Sequence, residues 1–248
     1  MSDKDAIEGE KLWKAAFYGN TETIQEILLT RKDLVNFENQ GFTPLYVACE
    51  NGKLEVAEML IKNGAVIDKE RTTDGVTPLF VACQNGNLEV AEMLIKNGAV
   101  IDKGNKNGVT PLFVACENGK LEVAEMLIKN GAMIDKETTD GVTPLLIACF
   151  KGHKEIVNIL IQSGADVNKA DKDGNTALHW AIEKGNKEIV ENLVRCGANI
   201  TESEKGNLEK KFGKKGLAEI FAQVFISFSS HFFFFTQKQK QKQKQKHT

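Results

Sequence analysis

The sequence predicts an all-α fold, a solenoid of stacked helix-turn-helix units that are connected by β-like turn arms. One observation behind this is the segment LEVAEMLIKNGA, which occurs without a substitution at residues 54–65, 88–99 and 121–132. A second is the 33- or 34-residue spacing of the threonines that open successive units: Thr43, Thr77, Thr110, Thr143 and Thr176. A unit of this length cannot bury its apolar face alone, so we expect the units to stack.

One unit, residues 74–103, shows why each element is expected. Thr77 precedes Pro78, a pair that is typical of a helix N-terminus. There the threonine side chain accepts hydrogen bonds from backbone N–H groups, and proline has no N–H that needs a partner. A short apolar helix follows and ends at Gly86, because glycine adopts the left-handed conformation that terminates helices. Leu88 begins a second helix with apolar residues at helical spacing, and Gly98 ends it. The extended residues after Gly98 lead into the next turn.

The cysteines are expected to be reduced and structural. Four of them recur at one position of the unit, Cys49, Cys83, Cys116 and Cys149, and Cys196 stands apart. The sequence has no C-x-x-C pair and no histidine at zinc-ligand spacing from the regular cysteines. Cysteine therefore serves here as a small apolar core residue. We expect no metal and no cofactor, and we expect an intracellular protein, either cytoplasmic or nuclear.

The charge distribution makes nucleic acid an unexpected partner. The formal net charge is −2, residues 1–200 are acidic, and the basic balance lies in the C-terminal Gln-Lys run. The sequence contains no P-loop and no nucleophile-elbow motif, and its glycines lie at helix ends. We therefore expect no catalytic residues and no enzyme activity.

The five unit openings share one pattern. They read TPLYVA, TPLFVA, TPLFVA, TPLLIA and TALHWA, and each is followed by a G-x-x-E-[VI] helix and by NGA, SGAD or CGAN. This pattern resembles the ankyrin-repeat family, in full over residues 38–201 and weakly on both sides. The resemblance implies an ankyrin-repeat solenoid and a non-enzymatic scaffold or adaptor that binds a protein partner through a concave groove. The family's histidine after T-P-L is kept only as His179, and apolar packing is expected to replace it elsewhere.

The same pattern divides the chain into repeats, caps and a tail. Residues 1–37 are predicted to form an N-terminal capping repeat, and residues 38–201 form five repeats (38–71, 72–104, 105–137, 138–170 and 171–201). Residues 202–226 are predicted to form degenerate C-terminal capping helices, in which Glu219 takes the place that Glu188 has one unit earlier. Residues 227–248, rich in Phe and then in Gln and Lys, are predicted to be a disordered tail.

The resemblance places candidate partner contacts on the turn tips and on the exposed ends of the short helices. The candidates are Phe42, Glu50, Val76, Gln84, Val109, Glu117, Val142, Phe150, Lys151 and Glu183. Phe42 and the three valines form a row with one residue per turn. For the valines we favour packing between neighbouring turns, with partner contact as the alternative. Phe150 interrupts a column of polar residues, so there we favour partner contact.

Two other functions stay open from the sequence. The Phe-rich, Lys-ended tail allows a membrane-associated adaptor, although its polar residues disfavour a spanning helix. A regulatory or inhibitory subunit of another enzyme is the second alternative. In each case we expect a monomer whose protein partner the sequence does not identify.

Overall fold

The computed structural model describes residues 3–222, and the helices in that part of the chain form two layers. The inner helices are α1 (Asp3–Tyr18), α3 (Pro44–Glu50), α5 (Pro78–Asn85), α7 (Pro111–Glu117), α9 (Pro144–Lys151) and α11 (Ala177–Lys184). The outer helices are α2 (Thr21–Thr30), α4 (Leu54–Lys62), α6 (Leu88–Lys96), α8 (Leu121–Lys129), α10 (Lys154–Gln162) and α12 (Lys187–Arg195). A 3-10 helix (Lys32–Asn36) follows α2, and α13 covers residues 202–222.

Helix packing confirms the predicted all-α solenoid. From α3 to α11, each inner helix packs on the preceding inner helix and on the outer helix that follows it in the chain. The arms contain turns and isolated β-bridges, Asn39 with Phe42 and Ala170 with Thr176, and residues 3–222 contain no strand. The predicted tail, residues 227–248, lies outside the described residues.

The opening threonines cap the inner helices, as the sequence predicts. The Thr43 hydroxyl accepts the N–H of Tyr46 at 3.1 Å, and Thr77 accepts that of Phe80 at 3.2 Å. The same bond recurs at Thr110, Thr143 and Thr176. Because the cap satisfies an orphan N–H group, the helix can start inside the stack without leaving a buried polar group unpaired.

One apolar core runs along the stack and is built from equivalent residues of successive repeats. The leucine after each Thr-Pro or Thr-Ala pair is at most 1% exposed: Leu45, Leu79, Leu112, Leu145 and Leu178. The four regular cysteines are fully buried. Burial raises the pKa of these thiols far above its ordinary value, because a thiolate is poorly solvated in the core. They are therefore packing residues, as the sequence predicts.

Polar side chains at the start of three outer helices tie their repeats to the ones before them. Asn87 Nδ2 donates to the carbonyl of Cys49 at 2.8 Å, and Asn186 Nδ2 donates to that of Cys149 at 3.4 Å. A ring nitrogen of His153 lies 3.2 Å from the carbonyl oxygen of Glu117. These bonds satisfy carbonyls that the C-termini of the inner helices leave open.

The arms are joined by a second ladder of hydrogen bonds. Asp68, Asp102 and Asp135 each accept the backbone N–H of a residue in the next arm, for example Met133 N–H to Asp102 Oδ1 at 3.0 Å. Asn36 and Asn168 do the same at the two ends of the stack, at 2.8 Å. The regular spacing of these carboxylates in the sequence therefore reflects stacking.

The last described helix, α13, begins with a capping box. The Thr201 hydroxyl accepts the N–H of Glu204 at 3.2 Å, and Glu204 Oε2 accepts the N–H of Thr201 at 2.7 Å. Gly213 has a φ of 71°, so the backbone is left-handed at this point. Beyond it, Glu219 accepts from Lys187 as Glu188 accepts from Lys154 one repeat earlier.

None of the helices within residues 3–222 combines the length and the apolar character that crossing a bilayer requires.

Candidate functional site

The turn tips and the C-terminal ends of the inner helices form one surface, which we call the inner face. Near the C-terminus of each inner helix from α3 to α11, the last buried residue is followed directly by a residue that reaches solvent. This change occurs because a helix turns about 100° per residue. Gln84, Lys151 and Glu183 are exposed, and Glu50, Glu117 and Phe150 are half-buried. Six of the ten predicted contact residues therefore share this surface and remain accessible.

The row of one apolar residue per turn is mostly packed. Val76 is only 5% exposed, and Phe42, Val109 and Val142 are half-buried against the core. Val76 therefore offers a partner almost no surface, in keeping with the packing alternative that the sequence favoured for the valines.

Phe150 has a structural neighbour that sequence reasoning missed. Its ring meets the Trp180 ring edge to face, with centroids 5.1 Å apart, and the Lys184 ammonium lies 4.0 Å from its centroid. Trp180 is itself a departure, since the equivalent residues are valine or isoleucine in the four preceding repeats. The two departures therefore pack on each other, and this contact is an alternative to partner contact as the reason for Phe150.

The charged residues of the inner face differ in how far they are neutralised. Glu117 pairs with Lys151 at 3.5 Å, and Glu183 lies 3.7 Å from the ammonium of Lys184. The carboxylate of Glu50 has neither an ion pair nor a side-chain hydrogen bond to any residue in the described range 3–222. The N-terminal end of the inner face thus keeps an uncompensated negative charge.

A cavity of about 360 Å³ lies at this N-terminal end. Its walls combine aromatic rings, amides and charges: Trp13, Asn39, Gln40, Phe42, Val47, Glu50 and Arg71. Trp13 belongs to α1, and its indole N–H is buried without an acceptor among residues 3–222. Such a donor is costly to leave unpaired. The cavity therefore offers a carboxylate without an ion pair on one wall, while the indole N–H of Trp13 is itself buried.

Arg71 is the functional-site residue that the sequence reasoning missed most clearly. Its guanidinium carbon lies 5.1 Å from the centre of the Phe42 ring and 5.6 Å from that of Tyr46. Two of its nitrogens bond the carboxylate of Asp74, with Nε to Oδ1 at 2.7 Å. This contact lowers the pKa of Asp74 below its ordinary value and raises that of Arg71. Arg71 is thus stacked and largely neutralised, and burial raises the pKa of Tyr46 to about 12.

The cavity lies where the turns are irregular. The turn closed by Arg71 N–H to the Val76 carbonyl contains one residue more than the turn closed by Asn105 N–H to the Val109 carbonyl. The turn before it is tighter, with Gln40 at φ 53° and Gly41 at φ 83°, as in a type I′ turn. The 34-residue spacing of the first two unit openings therefore arises from an extra residue in the second turn.

Backbone bonds connect the tips of the regular turns. Lys106 N–H donates to the Asp74 carbonyl at 2.9 Å, and Thr139 N–H donates to the Asn107 carbonyl at 2.8 Å. At the next junction, Lys172 N–H donates to the Asp140 carbonyl at 3.1 Å. In the described chain, residues 3–222, no backbone bond joins the turn at 39–42 to the turn at 71–76. The junction between the first two turns therefore lacks the backbone bond that the later junctions share.

A second cavity, of about 370 Å³, lies at the other end of the inner face. Its lining is formed by α11 and α13: His179, Ile182, Glu183, Glu204, Asn207, Lys210 and Lys211. Glu204 is 7% exposed, but its carboxylate already accepts from Thr201 and from the Thr176 hydroxyl. Lys211 donates to the Glu183 carbonyl at 2.9 Å. The polar groups of this cavity therefore serve the junction between α11 and α13.

Residues 3–222 contain no group of three or more His, Cys, Asp or Glu side chains that could hold a metal ion. The arm carboxylates Asp68, Asp102 and Asp135 are engaged with backbone N–H groups.

Comparison with known protein families gives a match over most of the chain. A family model described as ankyrin repeats, in three copies, matches residues 3–71, 66–140 and 133–204. The chain belongs to the ankyrin-repeat family. No curated protein matches the chain. Ankyrin repeats are generally protein–protein interaction modules, so the family directs attention to a protein partner.

This ankyrin-repeat protein replaces most of the family's structural histidines with buried apolar side chains. Tyr46, Phe80, Phe113 and Leu146 occupy that position and are between 1% and 7% exposed. Only His179 is half-exposed, and it lies 3.6 Å from Glu183. Apolar packing therefore takes over at four of the five positions, as the sequence predicts.

Proposed function

We propose that this ankyrin-repeat protein is a non-enzymatic scaffold or adaptor that binds a protein partner through the concave groove formed by the inner face. One observation carries the proposal. The outer-helix segment is identical in three repeats, whereas the inner-helix ends read Glu50, Gln84, Glu117, Phe150 and Glu183. Residues that only maintain stacking can be copied, but a specific partner needs positions that differ along the groove.

The proposed contact set follows accessibility. It consists of the exposed and half-buried helix-end residues, Glu50, Gln84, Glu117, Phe150, Lys151 and Glu183, with the exposed edge of Phe42. Val109 and Val142 contribute their accessible fraction only, and Val76 is left out because of its burial. We further propose that residues 1–37 and 202–226 cap the stack, and that the protein is intracellular, where its free cysteines would stay reduced.

Affinity capture with mass spectrometry tests the groove. We would compare the intact chain with a variant carrying Glu50→Lys and Glu117→Lys. Because a charge reversal at the inner face opposes a complementary partner surface, we expect the captured partner to be lost. Substituting Phe42 or Phe150 would be less informative, since both rings pack within the protein.

A matched control is available on the outer helices. The Glu58→Lys and Glu125→Lys variant changes the net charge by the same amount, and neither glutamate forms an ion pair within residues 3–222. We expect this variant to keep the partner, and circular dichroism would establish that both variants fold. Equal retention by both variants would place the binding site away from the inner face.

A further inference from the structure

We propose that the N-terminal cavity of the inner face binds a lysine or arginine side chain from an extended segment of the partner. The inference rests on the proposed function, because it names the chemistry of one part of the same groove. It concerns the cavity of about 360 Å³ between α1, α3 and the first two turns. A volume at the low end of the range for ligand pockets suits one long side chain and a short stretch of backbone.

The charge in the cavity favours a cation. Arg71 is neutralised by Asp74, and its guanidinium lies against Phe42 and Tyr46. Glu50 forms no ion pair in the described chain from 3 to 222, although its carboxylate also attracts Arg71. Because Asp74 already neutralises this arginine, one negative charge is left in excess at the cavity. A basic side chain would pair with this carboxylate without competing for the aromatic faces that Arg71 covers.

The remaining walls suit the rest of such a segment. The half-buried ring of Phe42 offers apolar surface to the methylene stem of a lysine or arginine. Asn39 and Gln40 can bond a peptide backbone through their amides. The Trp13 side chain also lines the cavity, although its indole N–H is itself buried.

The turns beside this cavity differ from the later ones. At the later junctions, a backbone bond such as Lys106 N–H to the Asp74 carbonyl joins neighbouring turn tips. The first two turns lack this bond within the described residues, and the cavity lies beside them. The helix-end glutamates Glu117 and Glu183 have nearby cations, Lys151 and Lys184. Among the helix-end glutamates of residues 3–222, Glu50 is the one that lines a cavity without forming an ion pair.

The indole N–H resonances of the full-length protein test the proposal by NMR. The chain has two tryptophans, Trp13 at the cavity and Trp180, whose indole donates to Asp171 at 3.3 Å. The probes are acetylated, amidated pentapeptides, Ala-Gly-Lys-Gly-Ala and the same peptide with norleucine in place of lysine. We expect the lysine peptide to shift the Trp13 resonance, to leave that of Trp180 in place, and to bind about fivefold tighter than the norleucine peptide.

Two variants separate the charge from the shape of the cavity. Glu50→Gln should remove the preference for lysine over norleucine, whereas Glu117→Gln should keep it. Equal affinity for the two peptides, a Trp180 shift instead of a Trp13 shift, or no shift at millimolar peptide would each overturn the inference. Partner capture that is lost in the Glu50/Glu117 charge-reversal variant but unaffected by Glu50→Gln would reject the cavity and leave the groove proposal standing.

Discussion

The first two turns of the stack and the three turns that follow them are built differently. The later turns, at 105–109, 138–142 and 171–175, share one closing bond and one size. The earlier turns, at 39–42 and 71–76, differ from these and from each other. The comparison teaches that the regular turns repeat one backbone bond between neighbouring tips and that a local break in repetition removes it.

Repetition and variation therefore have different roles in this molecule. The identical outer helices α4, α6 and α8 bury equivalent residues, such as Leu60, Leu94 and Leu127, which are all fully buried. The cavity at the N-terminal end of the inner face involves instead a residue that occurs in one repeat only, Arg71, which contacts Phe42. The copied segment thus maintains the stack, whereas Arg71 is a departure from the repeat that lines the cavity.

The arms provide a second comparison between the ends and the middle of the stack. Asn36 accepts from Val66 N–H and also donates to the Gly64 carbonyl at 3.2 Å. Asn168 makes the equivalent pair of bonds, with Gly197 as its acceptor at 3.2 Å. The aspartates at the three middle positions can accept but cannot donate when ionised. The middle of the ladder therefore lacks the bond that the asparagines at its ends donate.

The largest expected effect is a gain in stability when a middle aspartate of the arm ladder is replaced by asparagine, the residue found at both ends of that ladder. In Asp102→Asn the new amide can keep the bond from Met133 N–H and donate to the Gly131 carbonyl, as Asn168 does to Gly197. We expect the free energy of unfolding to rise by about 1 kcal/mol, the usual contribution of one hydrogen bond. Urea denaturation at neutral pH measures it.

The reverse substitution is the control. Asn168→Asp should lower the free energy of unfolding by a similar amount, because the bond to the Gly197 carbonyl is lost. If Asp102→Asn were neutral while Asn168→Asp were destabilising, the two positions would not be equivalent, and the comparison of arms would fail.

A smaller effect is expected at the irregular turn and should depend on pH. Arg71 holds the pKa of Asp74 below its ordinary value, so the pair stabilises the fold above the unfolded-state pKa of about 3.9 and loses this effect as the pH falls through the lower folded-state value. We expect Arg71→Met to cost about 0.5 kcal/mol at pH 7, since the pair is partly exposed. The difference from the unsubstituted chain should narrow at pH 3 and below.

Lys106→Met is the matched control for this titration. Lys106 Nζ donates to the Thr72 and Thr73 carbonyls at 2.8 and 3.0 Å, and neither acceptor titrates. Its effect on the free energy of unfolding should therefore stay the same between pH 7 and pH 3. An Arg71→Met effect that is equally independent of pH would show that the ion pair with Asp74 adds nothing to stability.

Local sequence signals were sufficient for most of the fold. Thr77 and Pro78 predict the start of α5, and Gly86, at φ 82°, predicts its end. Both signals depend on backbone chemistry within a few residues, so they can be read without the tertiary structure. The stacking of the units followed from their length and near-identity, because such a unit has no core of its own.

The details of the candidate site could not be predicted in the same way. Comparison between repeats sets Phe150 beside its equivalents Glu117 and Glu183, but its packing partner is Trp180, at a different position of the next repeat. Arg71 was overlooked because its role depends on the extra residue of its turn and on Phe42 in the preceding repeat. Such contacts between non-equivalent positions are fixed by the geometry of stacking.

The most direct test of the account exchanges two residues of the inner face. The double variant Glu50→Gln and Gln84→Glu has the same composition and net charge as the intact chain, and only the order along the groove changes. If variation between repeats specifies the partner, the captured partner should bind the exchanged chain more weakly, with an unchanged urea midpoint. Equal affinity of the two chains would contradict the claim that the order of residues along the inner face carries recognition.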